Sequence, residues 1–493
     1  MKITRNLYSS NLTLLTDLYQ LTMAHGYWKA GMTDREAVFN LFFRRNPFKG
    51  GFAVACGLSY VIDFLENFNI SDEDVAYLST LKGNDDEPLF DPKFLDYLQQ
   101  LEFTCDVDAV EEGSVVFPQE PLIRIKGSLI QCQILETLLL NMVNFQTLIA
   151  TKSARICLAA KGQDVLEFGL RRAQGIDGGL AASRAAYIGG CVGTSNVLAG
   201  KLFGIPVKGT HAHSWVMSFE SEIEAFETYA EGLPNNCVFL VDTYDTIEGV
   251  KNAIKVGNKL KEKGYKFAGI RLDSGDLAYL STRARELLDA AGFEDTAIVA
   301  SNDLDEHIID SLKQQDAKID VWGVGTKMVT AYEQPALGGV YKLSALRNKE
   351  NTAWDYKVKL SEQAIKISTP GLQQVRRFYA DGECIGDAIY DEENKPTSEN
   401  WTIVDPMDMT RRKKMSSQEG DYKDLLKPIF VKGKRVYKKP ELATIRTKVQ
   451  EELATLHRSI KRFTNPHSYP VGLEKGLYNL KTDLILKLRE INE

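Results

Sequence analysis

Apolar positions from Leu12 to Ala30 recur at helical spacing, and Ala37 to Phe43 reads as a strand. The segment GSVVFPQEPLIRIKG, Gly113 to Gly127, carries two short β runs around Pro118 and Pro121 and predicts a compact turn-back. An apolar helix is predicted through Leu138 to Thr151. From 164 to 326 the rhythm changes, and short apolar runs alternate with helical patterns. The runs are Asp164–Phe168, Ile205–Gly209, Val238–Val241, Phe267–Leu272, Ala297–Ala300 and Asp320–Val324. Spacings of about 25–40 residues with helices between them are what βα units require, so a parallel sheet is expected.

Polar residues follow nearly every run: Arg171 and Arg172, Thr210 to His213, Asp242, Arg271 with Asp273, Ser301 with Asp303, and Gly325 with Thr326. Chemistry at the C-terminal end of many strands implies one shared mouth, as in a (β/α) barrel. An open sheet would concentrate it at a single switch point. Six runs fall short of eight, so the expected fold is α/β with an irregular or incomplete barrel at 151–337. Residues 1–150 are expected to form an N-terminal α/β domain, completed by strands from about 338–404 (Gly339–Leu343, Tyr356–Leu360, Trp401–Val404). Residues 405–493, charged and with helical patterns at Pro440–Phe463 and Leu477–Ile491, read as a packed C-terminal appendage.

Composition narrows the function class. The chain has 493 residues, 44% hydrophobic and 26% charged, which excludes a disordered or fibrous protein. Sixty basic against 67 acidic residues give a net charge of −7, which argues against nucleic acid as partner. The basic clusters Arg411–Lys414 and Lys432–Lys439 read as solvated surface. Seven cysteines without a Cys-x-x-Cys pair fit a reducing compartment, with neither zinc spacing nor a disulfide framework. Met1 to Ser10 lacks a signal pattern, and the apolar stretch Ile134–Ala150 is broken by Glu136, Asn141, Asn144 and Gln146. A cytoplasmic protein with no membrane partner is expected.

Two of the six histidines stand together in His211-Ala212-His213. On a strand extension both rings would face the same way. A hydrogen-bonded structural pair, a metal pair and a nucleophilic or acid/base histidine are all open on these residues alone. Gly323-Val324-Gly325-Thr326-Lys327 offers backbone N–H groups, a hydroxyl and an ammonium, which suit a phosphate as well as a tight turn. Arg271-Leu272-Asp273-Ser274-Gly275-Asp276 reads either as an anion grip with carboxylates for Mg²⁺ or ribose, or as a helix cap at Ser274. Convergent cations in a net-acidic protein suggest a small polyanionic substrate such as a sugar diphosphate.

Six stretches, taken in order, resemble the nicotinate phosphoribosyltransferase family of type II phosphoribosyltransferases. They are LLTDLYQLTMAHGYW (14–28), EFGLRRAQGIDGGLAASRAAYIGGCVGTSN (167–196), GTHAHSWV (209–216), IRLDSGDL (270–277), GVGTKMVTA (323–331) and NPHSYPVGLEKGLYNLK (465–481). The resemblance implies transfer of phosphoribosyl from phosphoribosyl diphosphate to nicotinate, releasing nicotinate mononucleotide and diphosphate with coupled ATP hydrolysis. That reaction opens NAD salvage from nicotinate. It also implies an irregular α/β barrel packed on an N-terminal α/β domain, and a homodimer with shared active sites.

Carried over by motif, Tyr19 stacks on the pyridine ring, and Phe168, Thr210 and Arg271 belong to the nicotinate site. His213 is the residue that ATP phosphorylates, and Thr326 holds the 5-phosphate. Arg171, Asp273, Ser301, Asp303 and Gly325 belong to the phosphoribosyl diphosphate side, with Mg²⁺ carried in by substrate. No Walker-type or kinase glycine loop is visible, so ATP use rests on the resemblance, and His211 receives no role from it. The rivals are nicotinamide- or quinolinate-using relatives, a metal-dependent barrel hydrolase on His211 and His213, and a non-enzymatic role.

Overall fold

The structure, a computed structural model, describes residues 12–348, 352–397, 400–416 and 422–490, so Met1–Ser10 lie outside the described residues. The chain divides into two compact units. One comprises the chain up to Thr147, Ala336–Glu441 and Glu451 onward; the other comprises Leu148–Pro335 and Leu442–Gln450.

In the first unit the strand Glu36–Phe43 is buried at every position after Glu36, which explains its almost unbroken apolar run. It pairs antiparallel with Gly339–Arg347 on one side and Ile123–Ser128 on the other. Its buried polar residue, Asn40, donates through Nδ2 to the Ser344 hydroxyl at 2.8 Å. The later strands Gly339–Arg347 and Asp355–Tyr356 extend this sheet. Trp401–Val404 does not: it lies in a second, six-stranded sheet, where Trp401 and Ile403 pack with Phe378, Ala388, Tyr390 and Met415.

Two further expectations fail here. Residues 113–127 are not one turn-back, because Val115–Val116 pairs with Ala53–Val54 while Ile123–Ser128 enters the large sheet. Pro118 and Pro121 lack the N–H groups that a hairpin ladder needs, and Gln119 adopts φ 73° between them. Nor is 405–493 an appendage. Leu426–Val431 pairs with Asp106–Val110 inside the large sheet, and Val471–Glu474 sits centrally in the six-stranded one. Short, charged strands hid this role, because their alternation is weak. The predicted N-terminal helix is shorter than its apolar pattern and runs over Leu18–Lys29.

The second unit is built on six parallel strands in the order Gly193–Thr194, Asp164–Glu167, Val321–Val324, Ala297–Ala300, Gly269–Leu272, Val238–Leu240. Helices Ile176–Gly189, Thr246–Glu262, Leu277–Ala290 and Glu306–Gln314 connect them. The run Ile205–Gly209 forms no strand and makes a single parallel bridge, Val207 to Thr194. The unanticipated pair Gly193–Thr194 takes the edge position instead. Among the described residues the ladder does not close on itself, so the sheet is a half-barrel. Residues 442–450 also belong to this unit. Arg446 donates to the carbonyls of Gly190 and Cys191 at 3.0 Å, satisfying groups left open where Ile176–Gly189 ends. No described helix is long and apolar enough to cross a membrane.

Candidate active site

A cavity of about 360 Å³ opens at the C-terminal ends of the parallel strands, within the usual range for small-molecule sites. Phe168, Arg171, Ser195, Thr210, His213, Arg271 and Asp273 line it. Phe168, Ser195 and Asp273 arrive directly after a strand, Arg271 lies within Gly269–Leu272, and Thr210 and His213 come from the irregular segment after Val207.

Phe168 is set by the buried carboxylate of Glu167. It accepts from the Gly169 N–H at 2.5 Å, Ser183 at 2.8 Å and Thr194 at 2.5 Å, fixing the turn that presents the ring. The ring lies against Gly323, where an added Cβ would stand 2.8 and 2.9 Å from its carbons. The Arg271 guanidinium is 5.7 Å from the ring centre.

Arg271 is held by three bonds: Nε to Ser301 at 2.7 Å, Nη1 to Thr210 at 3.1 Å and Nη2 to Asp273 at 2.9 Å. Ser301 also donates to Asp273. A guanidinium has five N–H donors, so one on each Nη is left for an anion in the cavity.

His213 opens a short helix, His213–Val216, and its imidazole is partly exposed. Nδ1 meets the Thr243 hydroxyl at 3.1 Å, while Nε2 lies 3.8 Å from Asp273 and 4.0 Å from Asp242. Asp242 accepts from the Asp273 N–H at 3.0 Å and from Ser274 at 2.5 Å through Oδ2. Its Oδ1 is buried and, among the described residues, has no hydrogen-bond partner. Asp242 was expected at the shared mouth but without a role, and Thr243 was not anticipated. Their one signal in sequence was a carboxylate directly after a strand.

His211 also borders the cavity but is held by a different set of partners. Residues 209–212 are not a strand, so no period-two alternation aligns the two rings. The His211 ring packs against Phe226, Tyr229 and Phe239, and its Nε2 accepts the Leu240 N–H at 3.2 Å. Burial, with Arg271 and His213 nearby, lowers its pKa to about 4. A neutral ring with its lone pair already used cannot join His213 on a metal. Among the described residues no group of three or more His, Cys, Asp or Glu is arranged to hold one.

Other expected residues scatter. Asp276, rather than Ser274, caps helix Leu277–Ala290, accepting from Ala278 and Tyr279 at 3.1 Å. Asp303 is exposed and does not line the cavity. Gly325 and Thr326 follow the Val321–Val324 strand beside Phe168–Gly169, where a Cβ on Gly325 would approach the Phe168 carbonyl at 3.3 Å. Tyr19 belongs to the first unit and lines a different groove, of about 440 Å³, with Met23, Gln133, Glu136 and Lys342 among its neighbours.

Residues 14–144 match the nicotinate phosphoribosyltransferase N-terminal domain, 164–381 the nicotinate phosphoribosyltransferase family, and 372–481 its C-terminal domain. Over 486 residues the chain is 45% identical to nicotinate phosphoribosyltransferase of Bacillus subtilis, covering 97% of this chain and 96% of that one. The chain belongs to the nicotinate phosphoribosyltransferase family. The human enzyme of the family is 36% identical over 96% of both chains. A crystal structure of human nicotinic acid phosphoribosyltransferase superposes with a TM-score of 0.82 at 33% identity, covering 95% of this chain and 99% of that one. A Pyrococcus furiosus nicotinate-nucleotide pyrophosphorylase shares the fold at 22% identity, with a TM-score of 0.68.

Proposed function

We propose that this chain converts nicotinate, phosphoribosyl diphosphate, ATP and water to nicotinate mononucleotide, diphosphate, ADP and phosphate, with His213 phosphorylated in each cycle. The observation that carries the reading is Arg271, fixed by Ser301, Thr210 and Asp273 at the wall of the cavity that His213 also lines.

Nicotinate lies on Phe168 with its carboxylate on Arg271, since a buried carboxylate needs a charged, hydrogen-bonding partner. The pyridine nitrogen attacks C1 of the ribosyl group and diphosphate leaves with the bonding electrons. Arg171 and the Gly325–Thr326 loop receive the phosphate groups; Asp273 and Ser301 act through Arg271. With Thr243 accepting from Nδ1–H, His213 keeps the lone pair on Nε2 for the γ-phosphoryl of ATP, and water later takes that group as phosphate. The flanking carboxylates stabilise the imidazolium that forms.

Asp242 Oδ1, buried without a partner among the described residues, and Asp273 beside it are hard oxygen donors that fit Mg²⁺ arriving on substrate phosphates. Bound there, the ion supplies charge neutralisation to the phosphates. The reading extends to a cytoplasmic homodimer in which Tyr19 of one copy stacks on the base held by the other. The exposure of Tyr19 together with Leu15, Leu18 and Met23 supports it.

The test is a coupled assay of nicotinate with phosphoribosyl diphosphate, with and without ATP. Turnover that ATP accelerates supports the reading, and absence of nucleotide product under both conditions refutes it.

A further inference from the structure

Lys327 follows Gly325-Thr326, and its ammonium is one of the groups by which the sequence suits this segment to a phosphate as well as to a tight turn. Its partner in the fold is a protein carboxylate: Nζ lies 2.6 Å from Asp305. Asp305 is itself buried and caps helix Glu306–Gln314, accepting from His307 at 3.0 Å and Ile308 at 2.8 Å. Burial raises the Asp305 carboxyl, but Lys327 and the helix N–H groups outweigh it and leave its pKa below the usual value. Lys327 is shifted up by the same contact, so both partners are charged.

The next residue, Glu306, lies in a deeper array. It takes Lys152 and Arg155, each at 2.7 Å, and all three side chains are almost fully enclosed. Lys152 turns back to Glu333, also at 2.7 Å. The segment carrying Gly325 and Thr326 is therefore tied at Lys327 and again at Glu333. The first tie ends on Asp305 and the second on Lys152, which itself pairs with Glu306, the residue after Asp305. Such arrays are seldom worth their desolvation as stability alone, and fixing a geometry is their better-attested use.

We propose that Asp305, Glu306 and Lys152 are positioning residues that hold the Thr326 loop for the 5-phosphate, with Lys327 committed to the strap and not to the ligand. This rests on the reading above, in which the Thr326 loop receives that phosphate.

Asp305→Asn separates the strap from the cap, because an asparagine oxygen still accepts the two helix N–H groups while the charge is gone. Steady-state kinetics on Asp305→Asn, Lys327→Met and the double variant test the proposal. Each single change raises the KM for phosphoribosyl diphosphate on the order of tenfold, with kcat and the nicotinate KM held within about twofold. The double variant is no worse than either single one, and Lys327→Arg restores most of the loss.

A Lys327 that bound phosphate directly would give another result: Lys327→Met severe, Asp305→Asn neutral or improved, and additive effects. That pattern, or an unchanged KM in Asp305→Asn, overturns the proposal, and Asp305→Asn carries the test alone if Lys327→Met does not fold. Wild-type protein without phosphoribosyl diphosphate-dependent turnover would instead overturn the function reading.

Discussion

The Leu240 N–H donates to Nε2 of His211 at 3.2 Å, so an imidazole stands where a neighbouring strand would have offered a carbonyl. Val238–Leu240 is an edge of the parallel sheet, and the stretch that begins at Ile205 has left strand geometry before it reaches this edge. Edges with unpaired donors are usually covered or blunted. Here a side chain covers this one, and that accounts for one of two adjacent histidines without catalysis.

Replacing His211 with Ala removes the acceptor and empties space beside Phe226, Tyr229 and Phe239. The expected loss is about 2–4 kcal/mol in denaturant unfolding, from a buried unsatisfied N–H plus a cavity. A change below about 0.5 kcal/mol would show that the seam does not depend on this ring.

Acid sensitivity follows from the same burial. The folded His211 titrates near 4, below the ordinary value of 6.5. Between those values the unfolded chain binds a proton that the folded chain refuses. This contribution therefore favours folding above about pH 6.5 and is lost as pH falls toward 4. At pH 5 the wild type should lose about 2 kcal/mol more, relative to pH 7.5, than His211→Gln does. Parallel stability–pH curves for the two proteins would contradict the assignment.

His213→Ala should abolish nicotinate-stimulated ATP hydrolysis and the acid-labile phosphoryl group on the protein, while slow ATP-independent transfer persists. Asp242→Asn keeps the bonds from the Asp273 N–H and Ser274 but loses a charge near Nε2, and should slow phosphorylation on the order of 100-fold. Intact phosphorylation in the His213 variant, followed with γ-labelled ATP, would remove His213 from the mechanism.

On the proposed reading, substrate choice depends on Arg271. Arg271→Ala should raise the nicotinate KM far more than that for phosphoribosyl diphosphate, at a cost of about 2–5 kcal/mol for a desolvated charged pair. Arg271→Lys should lose less, since a lysine keeps the charge and gives up only the fork. Nicotinamide used as readily as nicotinate by the wild type would show that carboxylate recognition does not set selectivity.

The sequence exposed the parallel strands and the cavity because both have local signatures: short apolar runs, each followed at once by a polar residue. Asp273 was legible for that reason, while Phe168 was reached only through the family resemblance and Thr210 and His213 through a run that is not a strand. What was hidden depends on partners distant in sequence. Leu426–Val431 looks like a weak strand until Asp106–Val110 supplies its ladder. Lys327 reads as a phosphate ligand until Asp305 takes its charge. His211 and His213 look equivalent until the backbone between them proves not to be extended, and Asp242 has no spacing motif to mark it.

Gly323 leaves room for the Phe168 ring at the cavity wall. The Phe168 ring fits because one methyl is missing behind it. A Gly323→Ala change would press the ring outward into the space a flat heterocycle needs, excluding the base while every polar contact stays in place. A wider bicyclic competitor meets the same limit from the other side, since the ring has nowhere to retreat. If the base lies on Phe168 as proposed, the size threshold for bases is written in the strand backbone, apart from the charges that decide among bases of equal size.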